Sequence, residues 1–123
     1  MATIKSYTDL PQSKVLAEIL SPESADMCYK CIEDDPYDVV LRPFSEWREE
    51  YKGLLVNKEV DVVPCWSLAA LLAILHDYTL QTNTDGTAFV VCDSKKPMIS
   101  DAYDNSVDAC VEMILKLKEN NLL

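Results

Sequence analysis

Pro64-Cys65-Trp66-Ser67-Leu68-Ala69-Ala70-Leu71-Leu72-Ala73-Ile74-Leu75-His76 is the stretch on which the fold turns. Val60 to Val63 just before it is short and β-branched, which suits an extended strand. Ser67 is a good N-cap, and Trp66 before it stands at hydrophobic-staple spacing from Leu71. Leu68, Leu71, Leu72 and Leu75 then share one helical face, while Ala69, Ala70, Ala73 and Ile74 make the other nearly as apolar. A helix apolar all round is buried on most sides. The spacing therefore predicts a central core helix over Leu68 to His76.

After this helix, Tyr78 to Thr82 alternates as a strand, and Asn83-Thr84-Asp85-Gly86 holds an Asp-Gly pair of the kind that favours hairpin turns. Thr87 to Cys92 is the next strand, Lys95-Lys96-Pro97 a second turn, and Met98 to Tyr103 a third strand, which together read as an antiparallel meander. Asn105 then caps a last helix over Ser106 to Asn120, with Val107, Cys110, Val111, Ile114 and Leu117 facing the core. Asp108, Glu112 and Lys116 lie on its outer face, with acids early and lysines late to complement the helix dipole.

Before the central stretch, residues 9 to 20 read as a helix. Asp9 caps it, Pro11 suits its first turn, and Leu16, Ile19 and Leu20 with Val15 form its apolar stripe. Ser21-Pro22 stops it, because a residue preceding proline is pushed away from helical angles. Met27 to Ile32 and Asp38 to Leu41 read as two strands around the turn Glu33-Asp34-Asp35-Pro36. In residues 42 to 58 two readings stand side by side. One is a short helix capped by Ser45 and ended by Gly53, carrying Trp47 and Tyr51 at i,i+4; the other is an inserted loop. The whole is α+β, one domain over residues 1–123: a small antiparallel sheet (a three-stranded meander plus one or two N-terminal strands) packed against a central and a C-terminal helix.

The 123 residues carry 21 Asp and Glu against 11 Lys and Arg, a formal net charge of −10. Such a surface repels nucleic-acid phosphates and anionic lipid, so direct nucleic-acid binding and membrane binding are not expected. Met1 to Leu10 has no apolar h-region, and the longest apolar stretch, Leu68 to Leu75, falls far short of the ~20 residues that span a bilayer. The five cysteines, an odd number, fit reduced thiols. The expected location is the cytoplasm.

Three segments carry a resemblance: Glu23-Ser24-Ala25-Asp26-Met27, then Pro64-Cys65-Trp66-Ser67-Leu68-Ala69-Ala70-Leu71-Leu72, then Val107-Asp108-Ala109-Cys110-Val111-Glu112-Met113-Ile114 with Leu122-Leu123. Together they resemble a family of small uncharacterised proteins from Bacteroidetes and their phages. The match spans most of the chain, with Cys28 to Val60 the least typical part. The resemblance implies an intracellular protein of mobile-element origin and implies no activity.

Cys28-Tyr29-Lys30-Cys31 has the spacing of a zinc knuckle, but no second close pair exists, and on a strand the two thiols point to opposite faces. Neither metal nor cofactor is expected. Cys65, near the start of the central helix, is a candidate nucleophile. His76, the only histidine, is 11 residues further on, ~15 Å along a helix. A Cys65–His76 pair would therefore form only across a dimer. Glu33, Asp34, Asp35 and Asp38 lack the glycine and closing glutamate of a calcium loop, and Asp101, Asp104 and Asp108 sit where negative charge stabilises a helix start.

No convergent set of polar groups emerges, which favours a non-catalytic interaction protein. Its candidate partner-binding residues are Trp47, Tyr51, Cys65 and Trp66, and its partner is another protein or a second copy of the chain. An acidic mimic of nucleic acid is a special case, weakened by the spread of Arg42, Arg48, Lys52, Lys58, Lys95 and Lys96. The alternative is a small hydrolase or transferase using Cys65 or an acidic pair.

Overall fold

The computed structural model describes residues 5–75, 78–92 and 98–123. The fold is α+β, with two three-stranded antiparallel sheets. The chain divides into two compact units, one formed by Asp9–Ser67 and the other by Leu68–Leu123 with the residues up to Thr8. The division falls inside the Pro64–His76 stretch, between Ser67 and Leu68. His76 and the turn expected at Lys95-Lys96-Pro97 lie outside the described residues.

The Asp9–Ser67 unit begins with α1 (Leu10–Ala17). Asp9 caps it as expected, accepting from the Gln12 N–H at 2.8 Å, while Gln12 Oε1 accepts from the Asp9 N–H at 3.1 Å. This reciprocal pair satisfies two donors of the helix start. The helix ends at Ala17, short of Leu20, and the expected stripe needs correcting. Leu16 is fully buried, but Val15 is half exposed. A single 3₁₀ turn, Pro22–Ser24, follows.

β1 (Met27–Ile32) is the middle strand of the sheet, between β2 (Asp38–Val40) and β3 (Val60–Cys65), all antiparallel. The β1–β2 turn places Glu33 and Asp34 at φ 49° and 65°. That left-handed region is uncommon for residues with a side chain, and Asp is among the types that enter it most readily. α1 packs on β3.

Of the two readings for residues 42 to 58, the helix is correct: α2 spans Phe44–Tyr51. Ser45 does not cap it. Pro43 holds the cap position, and Ser45 lies in the first turn. Trp47 is buried, with Phe44 and Tyr51 each 5.9 Å away ring to ring and the Lys30 ammonium 6.0 Å from its ring. The i,i+4 spacing of Trp47 and Tyr51 thus reports a real helical face, with Trp47 turned inward.

In the second unit, α3 (Leu68–Ile74) precedes the meander β4 (Tyr78–Thr82), β5 (Ala88–Cys92) and β6 (Met98–Ile99). The β4–β5 turn carries Gly86 at φ 89°, the positive angle that the Asp-Gly pair predicts. Asp85 supports it by accepting from the Thr87 N–H at 3.0 Å and the Thr87 hydroxyl at 2.7 Å.

β6 is shorter than expected. At Ser100 the hydroxyl accepts the Val90 N–H at 2.9 Å, and the paired strand ends there. The Ser100 N–H still donates to the Val90 carbonyl at 2.9 Å, and an isolated bridge between Ala88 and Tyr103 follows.

α4 (Ser106–Glu119) matches its expected span and cap, with the Asn105 side chain accepting the Asp108 N–H at 2.8 Å. Val107, Cys110, Val111, Ile114 and Leu117 are all buried, together with Ala109 and Met113. α4 packs on β5 and on α3.

The reading of α3 as a helix buried on most sides is overturned. Leu71 alone is buried within it, while Ala69 and Ala73 are exposed and Leu72 is 40% exposed. Its second apolar face is made largely of alanines, whose small apolar area gives little drive for burial. With seven residues against fourteen, α3 also has half the length of α4 to present to a core. The helix at the centre of this unit's core is α4.

Candidate functional site

The four candidate residues, Trp47, Tyr51, Cys65 and Trp66, all fall in the Asp9–Ser67 unit, but they do not form one exposed surface. Cys65 and Trp66 have no accessible surface, Trp47 has 6%, and Tyr51 has 38%. The Trp66 indole N–H donates to the Ser24 hydroxyl at 2.9 Å, and that hydroxyl donates to the Ser21 carbonyl at 2.6 Å. Asp26 receives both the Ser67 N–H, at 3.0 Å, and the Ser67 hydroxyl. The segments Ser21–Met27 and Cys65–Ser67 are therefore tied together by polar contacts, which gives Trp66 a structural role. Of the four candidates, only Tyr51 presents substantial surface to a partner.

The thiols point the same way. Cys65 closes β3 opposite Met27, and Cys28 stands opposite Pro64. Burial, with the Cys65 thiol nearby, pushes the Cys28 thiol up to about 11, and burial alone pushes Cys110 up to about 12. Cys31 is partly exposed and donates to the Asp35 carbonyl at 2.7 Å. A thiol with no accessible surface cannot meet a substrate, which weighs against Cys65 as a nucleophile. Among the described residues, no three His, Cys, Asp or Glu side chains converge as a metal site. Of the acids near the last helix, Asp108 is held by Lys5 at 2.8 Å and by the Asn105 amide at 2.9 Å. Tyr103 donates to Glu112 at 2.8 Å, and that bond pushes the Tyr103 hydroxyl up to about 12.

These thiols yield a first expected result. With an alkylating reagent near pH 8, Cys31 reacts before Cys28, Cys65 and Cys110, as read by peptide mass mapping. Raised thiol values also set an alkaline limit. The unfolded chain ionises Cys28 and Cys110 near the ordinary value of 9.0, whereas the fold holds them protonated to about 11 and about 12. Their contribution to stability is therefore complete below pH 9 and is lost as pH rises toward 12. A denaturant midpoint that stays flat from pH 9 to 11, or alkylation of Cys110 ahead of Cys31, would contradict this placement.

Two features lie beyond the residues that the sequence singled out. The first is a set of exposed apolar side chains between β2 and β3. Leu41 is 75% exposed, Leu54 70% and Val56 64%, with Tyr51 among them in sequence. Leu55 between the last two is buried, and the Leu54 and Leu55 N–H groups donate to the Tyr51 carbonyl. Arg42 pairs with Glu50, tying the chain next to Leu41 to the chain next to Tyr51. The run Leu54-Leu55-Val56 in an otherwise polar turn was the available signal. The second feature is a cavity of about 460 Å³ against the β1–β3 face, reached by Met27, Cys28, Val62 and Pro64 from the strands and by Phe44 and Ser45 from α2. Its walls come from segments distant in sequence, so no local pattern announces it.

Among the described residues, no helix is long and apolar enough to cross a membrane. No protein-family model, no curated protein and no solved structure matches the chain.

Proposed function

We propose that the chain is a cytoplasmic, non-catalytic protein-binding protein. The observation that carries the reading is the exposure of Leu41, Tyr51, Leu54 and Val56 within one short interval of a single unit. Large apolar side chains concentrated at the surface mark interaction sites. Here backbone bonds from Leu54 and Leu55 to Tyr51 tie the segment to the end of α2. The formal net charge of −10 suits a partner with a basic rim around an apolar centre. Nothing comparable supports a catalytic reading, because the candidate nucleophile is fully buried. The resemblance of the Glu23–Met27, Pro64–Leu72 and Val107–Ile114 segments to small proteins of Bacteroidetes and their phages supports a mobile-element origin.

The test compares two baits in the native host, the full tagged chain and its Leu54→Glu/Val56→Glu double variant. Both positions are exposed, so the variant should melt within about 0.5 kcal/mol per site of the parent. The parent should retain a partner that the variant loses by about tenfold or more, the scale of a surface anchor. Equal capture by both baits, or no specific capture by either, would contradict the proposal.

A further inference from the structure

The cavity on the β1–β3 face has properties that the interaction reading does not use. Its volume of about 460 Å³ lies within the ~300–1,000 Å³ of small-molecule sites. Pro22 and Pro64 give it stiff walls, and Met27 gives an adaptable one. Phe44 contributes an aromatic ring from the first turn of α2.

Polar character is confined to a few places. Ser45 supplies a hydroxyl, and Glu23 is the one charged residue in the lining. Glu23 is exposed, and among the described residues its carboxylate has no hydrogen-bond or ion-pair partner. The Cys28 thiol, held up to about 11, stays neutral at physiological pH and adds no second charge. Around the cavity, Asp9–Ser67 carries thirteen acidic against six basic side chains, a balance of −7. A field of that sign repels anions from the mouth and draws in cations.

We propose that this cavity binds a small amphipathic amine, an apolar or aromatic body carrying one protonated nitrogen. The body fills the space between the two prolines, Met27 and Phe44. The ammonium pairs with Glu23 at the mouth, and Ser45 offers a further hydrogen bond. The site is separate from the exposed segment around Leu54, and its existence does not depend on a protein partner.

Three probes of nearly equal shape test it on the full chain: 4-phenylbutylammonium, 4-phenylbutanol and 4-phenylbutyrate. Binding is read by calorimetry and by the methyl resonance of Met27. The ammonium should shift that resonance, slow alkylation of Cys28, and bind about tenfold more tightly than the carboxylate, as opposite and like charges at one mouth require. In Glu23→Gln the ammonium should fall to within about threefold of the alcohol, since the lost term is one partly solvated ion pair. Val62→Phe, which fills the cavity, should weaken all three probes. If that variant fails to fold, the exposed Glu23→Gln variant decides alone. No shift of the Met27 methyl with any probe at millimolar concentration would overturn the proposal. So would a carboxylate bound as well as the ammonium, or a preference for the ammonium that survives in Glu23→Gln.

Discussion

Trp66→Ala is expected to lower the stability of the protein by about 3–5 kcal/mol, the range for removing a buried large aromatic side chain. Trp66 has no accessible surface. The loss is more than volume, because its indole N–H is one link in the chain from Trp66 through Ser24 to Ser21. Without the indole, the Ser24 hydroxyl loses its donor, and the turn at Pro22–Ser24 loses its tie to the end of β3. A denaturant melt measures the effect. Trp66→Phe separates its two parts, restoring most of the packing but not the hydrogen bond, which is worth about 1 kcal/mol. A near-neutral Trp66→Ala would mean that this side chain is available to a partner and that the core assignment is wrong. If residues 42 to 58 were an inserted loop, Trp47 would be expected to matter clearly less. It is instead a buried residue of a helix, so the physical basis for that ranking is gone, and Trp47→Ala belongs in the same class of core truncations.

Ile114→Ala is expected to cost about 2–5 kcal/mol, the range for truncating a buried branched side chain and leaving a partly collapsed cavity. Ile114 is fully buried in the middle of α4, between the equally buried Met113 and, one turn away, Cys110 and Leu117. The contrasting variant is Leu72→Ala in α3. Leu72 is 40% exposed, so its truncation should cost less than half as much. A core built around α3 as the buried helix would give the reverse order, and parallel denaturant melts of the two variants distinguish them.

The parts of the fold that were legible are those where one local signal settled the structure. Asp9 with Gln12, and Asn105 with Asp108, mark helix starts that a single side chain can specify. Asp85-Gly86 marks a hairpin because its backbone angle excludes most other residues. Met27–Ile32 and Val60 to Val63 read as strands from composition, and both are strands, the second running on to Cys65.

The errors arose where neighbours in space decide. Both faces of α3 are apolar, so periodicity cannot say how much of a short helix is buried. Val15 and Leu16 are both apolar, yet only Leu16 meets a core. Ser100 reads as an ordinary strand residue, but its hydroxyl receives the Val90 N–H, and the paired strand ends there. The N-terminal strands were assigned as additions to the meander. They form a sheet of their own with β3, because strand partners are chosen by contacts across long stretches of chain.

The candidate site was less legible than the fold. Large aromatics and cysteines drew attention as binding residues, and three of the four named, Trp47, Cys65 and Trp66, are buried. Aromatic identity alone does not separate a core anchor from an interface anchor. Exposure does, and exposure at Leu41, Leu54 and Val56 follows from the path of the chain between β2 and β3.

Amide hydrogen exchange on the complex with the captured partner tests the interaction reading most directly. Binding through the proposed surface should slow exchange around Leu41 and across 51–57, with much smaller changes in β4, β5 and α4. Protection confined to the β4–β5–β6 sheet or to α4, with residues 41 and 51–57 unchanged, would contradict it.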